Sequence, residues 1–412
     1  MHLSDEQKSI LEGEHGKGAH KALAMLVKYG EAFGAERLVK VDTCHAGTGP
    51  RPFLEEMLDG IEQTRALTTL HAGSAGASPN AGALGLNESY CRQERSTQEA
   101  SIKLCVSKGF IPIMSCAPYL AGNVVKPGAI FSWPGSSGAL ISNSLFGGMG
   151  NRDAFPASLA SSITGFTPDM LLLKKENRPA QVLVTVKDDL NPMDFTDADY
   201  GAMGYHIGAI GGLRTVAVVG LPKGLPFEKL KALLSPMPVS GATTLCHIVG
   251  TTPEAPTVEE ALGHRRPEVT VDFGSAELRR SLGGLHTART EDVEVVFFGC
   301  PHLTVSEISQ IARLLEGKKK ADHVRLWVST AGTVRALADR MGYVDIIERA
   351  GGVVVTDTCI MGFPYDQLED GVKTAATNSA RAASYQARRG IGIQYGSYEQ
   401  CIEAAIAGRW GG

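Results

Sequence analysis

The chain has 412 residues, 43% of them hydrophobic, and a formal net charge of -4, so it is long enough for two or three domains and a large buried core. With so small a charge and no basic stripe carrying interleaved aromatics, no nucleic-acid partner is expected, and Lys318–Lys320 reads as a solvated turn after a helix. The opening MHLSDEQKSILEGEHGK is polar and amphipathic, with neither the apolar core of a signal peptide nor the length of a membrane span, so a cytoplasmic protein without membrane association is expected.

In chain order, a long helix is predicted over 5–33, a strand at RLVKVDT, a small-residue loop at HAGSAGASPNAGALG, a long helix at NESYCRQERSTQEASIKLCVSKG and a strand at FIPIM. From 181 the pattern becomes more regular: strand QVLVTVK, the glycine-rich helix DYGAMGYHIGAI, strand TVAVVG, helix PFEKLKALL and strand ATTLCHIVG. The segment TTPEAPTVEEALGHRRPE, with a weak strand pattern after it at VTVDF, reads as a linker or boundary within 250–290. Strand VEVVFFG then leads into a helix whose start is marked by the capping-box pair Thr304 and Glu307, and HVRLWVS, TAGTVRALADRM, a short helix near 344–347 and GGVVVT continue the alternation. Strands alternating with helices imply parallel sheets covered on both faces. The expected division is an N-terminal α/β region over 1–180 with loop-rich segments, a second α/β unit over 181–285 and a C-terminal α/β unit over 286–412.

Eight cysteines spread thinly over this length do not form a secreted disulfide framework, and reduced thiols or metal ligands are the better expectation. Cys116, Cys300 and Cys359 follow FIPIM, VEVVFFG and GGVVVT, the carboxyl ends of predicted parallel strands, where ligands bind in open α/β sheets. Cys91, Cys105 and Cys401 lie in helical patterns and Cys246 inside an apolar strand, as small hydrophobes do. Three thiolates would suit an iron-sulfur cluster with one iron left open as a Lewis acid. Structural zinc is disfavoured by the absence of any C-x-x-C, and a cysteine nucleophile beside His302 or His45 remains a rival.

The ordered set SCAPYLAGN, DYGAMGYHIG, HIVGTTPEAPTVEEALG, FFGCPHLTVSEISQIARLLEG, VVVTDTCIM and TNSARAA, from MHLSDEQKSILEGEHG to YGSYEQCIEAAIAG, resembles the catalytic large subunit of aconitase X over nearly the whole chain. The resemblance implies an aconitase-like multi-domain α/β fold of parallel sheets flanked by helices, lacking the swivel domain, with a cluster on Cys116, Cys300 and Cys359. The cofactor is expected to be a 2Fe-2S or 4Fe-4S cluster, or a mononuclear iron. Relatives are dehydratases of cis-3-hydroxy-L-proline, which becomes a pyrroline-2-carboxylate, or of mevalonate 5-phosphate. A small swivel-domain subunit is the implied partner and carries the serine expected to act as base.

Water elimination next to a carboxylate needs a grip on that carboxylate, for which TNSARAA offers Asn378, Ser379 and Arg381, the last standing where the family usually has lysine. The stretch WPGSSGALISNSLFGGMGNR departs from the family pattern: Ser136, Asn143, Ser144, Asn151 and Arg152 remain substrate-binding candidates, while Gly135 and Met149 replace a usual glutamate and arginine. The segment 70–86 and the loop DTCHAGTG also differ, which makes His45 and His71 candidate substrate contacts or, alternatively, plain loop residues. The leading expectation is a hydro-lyase subunit acting on cis-3-hydroxy-L-proline; the alternatives are mevalonate 5-phosphate, an uncharacterised hydroxy acid, or a cluster-carrying binding or regulatory protein without turnover.

Overall fold

The computed structural model describes residues 1–411. Three parallel sheets, each wrapped by helices, follow one another along the chain, with a two-stranded antiparallel ribbon of β1 (Leu38–Lys40) and β6 (Phe166–Pro168) beside the first. The first sheet has the order β3-β2-β4-β5, from β2 (Thr43–Ala46), β3 (Leu67–Leu70), β4 (Ile130–Trp133) and β5 (Met149–Arg152). The second has the order β10-β7-β8-β9, from β7 (Val182–Val186), β8 (Val216–Val219), β9 (Cys246–Ile248) and β10 (Val269–Phe273). The third has the order β13-β12-β11-β14-β15, from β11 (Val295–Leu303), β12 (Arg325–Thr330), β13 (Val353–Val355), β14 (Thr374–Thr377) and β15 (Gly392–Tyr395).

The valine-rich strands are buried because helices cover both faces of these sheets, so apolar runs replace alternation. One core cluster joins Phe131, Trp133 and Leu140 of the first unit to Val182, Val216 and Ile248 of the second. Another packs Val296, Phe298, Val328 and Val354 under the helices Val305–Leu315 and Tyr398–Ala407.

Several predicted elements need correction. The helix expected over 5–33 is two helices, Asp5–Leu11 and Lys17–Ala32, because Gly13 and Gly16 adopt φ of 89° and 93°, which turns the chain between them. FIPIM forms no strand: only Ile111 makes a bridge, to Thr69, and Met114 takes a left-handed φ of 46°, so Cys116 sits on irregular backbone. The small-residue loop after β3 holds two 3-10 turns, Ala75–Ala77 and Ala81–Leu84. The weak strand pattern at VTVDF is realised as the edge strand β10, paired in parallel with β7, whereas β11 runs on past the expected end at Gly299 through Cys300 to Leu303.

The glycines of DYGAMGYHIGAI are explained by close packing. In the helix Asp197–Gly211, a β-carbon on Gly204 would lie 1.7 Å from the Leu233 carbonyl oxygen, and one on Gly201 would lie 2.5 Å from the Tyr395 hydroxyl. The backbone of this helix therefore lies directly against the helix Phe227–Leu234 and the third unit. Gly204→Ala forces these helices apart and is expected to cost about 2 kcal/mol or more, read as a lower urea midpoint at unchanged slope. A midpoint equal to that of the parent chain would refute the contact.

Candidate active site

The carboxyl ends of the first and third sheets face each other, and the polar side chains that leave those strands meet between them. Of the eight cysteines, Cys116, Cys300 and Cys359 are partly exposed and the other five are buried. Burial pushes the Cys116 thiol up to about 11, with Cys359 adding to the rise, and pushes Cys300 up to about 12 against the opposing pull of Arg381. The three sulfurs thus sense one another and one guanidinium. Among the described residues no three His, Cys, Asp or Glu side chains converge closely enough to hold a single ion. Sulfur is the donor that iron-sulfur clusters use, so the chemistry of these three thiols fits such a group.

The segments that carry these thiols are tied together around His302. Its backbone N–H donates to Cys116 Sγ at 3.3 Å, and its ring is 1% exposed. Nε2 lies 2.9 Å from the Thr358 carbonyl, which can only accept, so Nε2 carries the proton and Nδ1 accepts from the Ser115 hydroxyl at 2.9 Å. Burial, with lesser help from the charges of His71 and Lys231, depresses its pKa to about 4, consistent with a neutral ring. The Cys359 segment is also paired with the loop after β3: Gly73 N donates to Asp357 O at 2.9 Å and Cys359 N to Gly73 O at 3.0 Å. The carbonyls of Thr356 and Thr358 both accept here, Thr356 O from Ser78 Oγ at 2.8 Å and Thr358 O from His302.

Arg381 reaches across the gap from the third unit. Its Nη2 donates to Ser136 Oγ at 3.0 Å and its Nη1 to Ser235 O at 3.3 Å, and its guanidinium lies 5.2 Å from the Tyr385 ring centre. Ser136 opens the ten-residue helix Ser136–Leu145, which Gly135 begins without a capping side chain, so its first amides are donors with no side-chain partner. Ser379 caps the helix Ala380–Ala387 and donates its hydroxyl to Cys300 O. His71 donates Nδ1–H to Ala72 O at 3.0 Å, which leaves Nε2 bare, 3.8 Å from where a β-carbon on Gly135 would sit. Burial, reinforced by Arg381, lowers the His71 pKa, and burial beside His71 lowers that of His45 well below the usual range. The two rings lie 5.3 Å apart, and His45 Nδ1 is bonded to Thr69 Oγ1 at 2.8 Å while Nε2 has no partner.

Behind Cys300 lies a cavity of about 30 Å³, enough for a water or two, lined among others by Asn378, Ser379, Arg381, Lys231, Glu307 and Tyr398. Lys231 and Glu307 form a buried ion pair there; Lys231 also donates to His302 O at 3.0 Å, and Glu307 accepts from Tyr398 and from the Thr304 amide.

His45, His71, Ser136, Asn378, Ser379 and Arg381 therefore gather near the three thiols. Four other candidates do not, and are corrected. Asn143 is fully buried, bonding Gly150 through both ends of its amide and Thr244 O at 3.0 Å. Ser144 accepts from the Cys246 amide, and Asn151 is bonded to Met170 O and Leu172 N. Arg152 is exposed on the surface. Met149 starts β5, at the opposite end of the first sheet from the thiols, and lines a surface hollow with Glu36 and Asp169, so a missing arginine there leaves the pocket unchanged. Sequence reasoning missed Ser115, Lys231 and Tyr398 and gave His302 another role. Lys231 did leave a signal, falling on the apolar stripe of Phe227, Leu230 and Leu234.

Sequence profiles for the first, second and third domains of aconitase X match residues 1–176, 180–283 and 293–407. The chain is 30% identical to the phosphomevalonate dehydratase large subunit of Thermococcus kodakarensis, covering 98% of this chain and 100% of that one. It is 33% identical to the protein of the same name from Methanothermobacter thermautotrophicus, covering 93% and 94%. It is 30% identical to the cis-3-hydroxy-L-proline dehydratase of Pseudomonas aeruginosa, covering 98% of this chain and 69% of that protein. The crystal structure of Thermococcus kodakaraensis aconitase X in its holo form superposes with a TM-score of 0.85 at 28% identity, over 98% of this chain and 100% of that one.

The buried pair yields a stability test. Lys231→Met leaves the Glu307 carboxylate buried without its cation, at an expected cost of about 3–5 kcal/mol at neutral pH. Burial already raises the Glu307 pKa, and without Lys231 it rises further. The folded state then holds a proton that the unfolded chain releases, so the deficit shrinks as the pH falls toward 5. Denaturation midpoints at pH 5 and 8 check this, and an equal loss at both would refute it.

Proposed function

We propose, from the premise that this chain belongs to the aconitase X family, that it is the large subunit of an iron-sulfur hydro-lyase whose favoured substrate is cis-3-hydroxy-L-proline. It is a dehydratase of the aconitase X type, as its named relatives are. The observation that carries the cluster assignment is the set of three partly exposed thiols, on three separate segments, at the facing ends of two parallel sheets. Cys116, Cys300 and Cys359 would hold the cluster, which when bound supplies a Lewis acid for the departing hydroxyl.

The remaining work belongs to the chain's own residues. Arg381, Ser136 and the uncapped amides of the helix Ser136–Leu145 form the seat for the substrate carboxylate, combining a guanidinium fork with a helix N-terminus. His71, neutral and bare at Nε2, accepts a hydrogen bond from a substrate hydroxyl or amine. Asn378 and Ser379 close the wall beside Cys300. The base that takes the proton next to the carboxylate is assigned to a serine of a small swivel-domain partner; that relatives are named large subunits supports a small-subunit partner.

The charge balance supports the less charged substrate. Among the described residues around the thiols, Arg381 is the cation not committed to a carboxylate, Lys231 being paired with Glu307, and one guanidinium suits a zwitterion better than a carboxylate that also bears a phosphate. The second reading, mevalonate 5-phosphate, draws on the long matches to the two archaeal large subunits.

The chain, co-purified anaerobically with its small subunit and supplied with iron and sulfide, is to be assayed against both compounds and a panel of other 3-hydroxy acids. Formation of a pyrroline-2-carboxylate from cis-3-hydroxy-L-proline is the expected result. Turnover of mevalonate 5-phosphate alone overturns the substrate, and a fully loaded protein that dehydrates nothing overturns the enzyme in favour of a binding or regulatory role. Separately, Cys116→Ala, Cys300→Ala and Cys359→Ala are each expected to lose the brown colour and most bound iron; iron content equal to the parent's in all three refutes the ligand set.

A further inference from the structure

Each proposed ligand rides on a different kind of backbone. Cys300 is inside β11, whereas Cys116 ends a segment with a single bridge to the first sheet, and Cys359 follows a three-residue strand and an Asp357 with a left-handed φ of 65°. Ladder pairing with β12 holds β11 on either side of Cys300, at Phe298 and Leu303, and does little for the other two segments. Yet such a site must hold its donors near their final places, since ordering loops during binding costs about 1–2 kcal/mol per residue fixed.

We propose that His302 is the positioning residue that sets the Cys116 and Cys359 segments against the Cys300 strand before any cofactor is present. This rests on the three thiols being the ligands. Every polar atom of His302 is in use: N–H to Cys116 Sγ, O from Lys231, Nδ1 from Ser115 and Nε2–H to Thr358 O. The residues before Cys116 and Cys359 are therefore bridged by one ring, attached two positions after Cys300. The two ring bonds run in opposite senses, one accepted and one donated, and a neutral imidazole in one tautomer makes both from its two edges. Ser115 Oγ in turn accepts from the Ala117 amide at 3.1 Å, so the ring also orders the turn that contains Cys116. Lys231, held by buried Glu307, fixes the carbonyl behind the ring and anchors the tie to the second unit.

The two edges can be cut separately. In His302→Asn the amide oxygen falls near the Nδ1 position and still accepts from Ser115, but nothing reaches Thr358. In His302→Gln the amide nitrogen falls near Nε2 and still donates to Thr358, but Ser115 loses its acceptor. Hydrogen exchange on the intact metal-free chain should therefore split. Asn is expected to quicken amides of 356–360 about fivefold and spare 115–117, and Gln to do the reverse, for bonds worth about 1 kcal/mol each. Ser115→Ala, with His302 intact, should copy the Gln pattern and guards against a His302 variant that folds poorly. Both His302 variants should also retain less iron after anaerobic loading and bleach faster than the parent. Parental exchange in both segments overturns the proposal, as does uniform acceleration across the chain, the mark of an ordinary core residue. Because exchange is read without metal, a split pattern alongside cysteine variants that keep their iron would uphold the tie and reject the ligands.

Discussion

The site depends on a short backbone pairing between two units that are far apart in sequence. Gly73, just past the first sheet, exchanges hydrogen bonds with Asp357 and Cys359, just past the third. A side chain at Gly73 would meet the Gln98 amide oxygen at 2.0 Å and displace it from its bond with Ser74 N. With this pairing in place, the ends of the first and third sheets stand opposite each other, and Arg381, His302 and His71 come within reach of the thiols. The small-residue run 71–85 serves as the seam, which explains why it is ordered into 3-10 turns rather than left as a loop.

Charge is arranged around that seam asymmetrically. Arg381 is turned inward with a hydroxyl, a carbonyl and an aromatic face for company, and no carboxylate. A guanidinium so placed gains most from an anionic ligand, since its desolvation has already occurred in folding. Lys231 is the contrasting case. Glu307 neutralises it, Tyr398 and the Thr304 amide satisfy the carboxylate, and the network serves architecture by bracing His302 from behind. The two cations on one wall thus do different jobs, partly buried Arg381 open to a ligand and buried Lys231 closed.

Local patterning made much of this legible. The capping box at Thr304 and Glu307 forms as read, with Thr304 accepting from the Glu307 amide and Glu307 returning the bond. The same Glu307 is also the counter-ion of a lysine 76 residues away, which no local signal states. FIPIM looked like a strand because it is apolar, but its irregular backbone leaves only one bridge. Asn143, Ser144 and Asn151 looked like ligand contacts because they are polar in a glycine-rich run, yet backbone groups of neighbouring segments had the prior claim on them.

Sequence by itself determined the alternation of strands and helices, the parallel sheets that follow from it, and the placing of Cys300 and Cys359 after apolar strand runs. Those features rest on residues within a few positions of each other, where periodicity and capping act. Tertiary structure decided which polar groups are free for a ligand and which are already spent. The partners that settle this lie far off along the chain, 245 residues from Arg381 to Ser136 and 187 from His302 to Ser115. Hydrogen-bond satisfaction is a property of neighbours in space, and no period in the sequence encodes it.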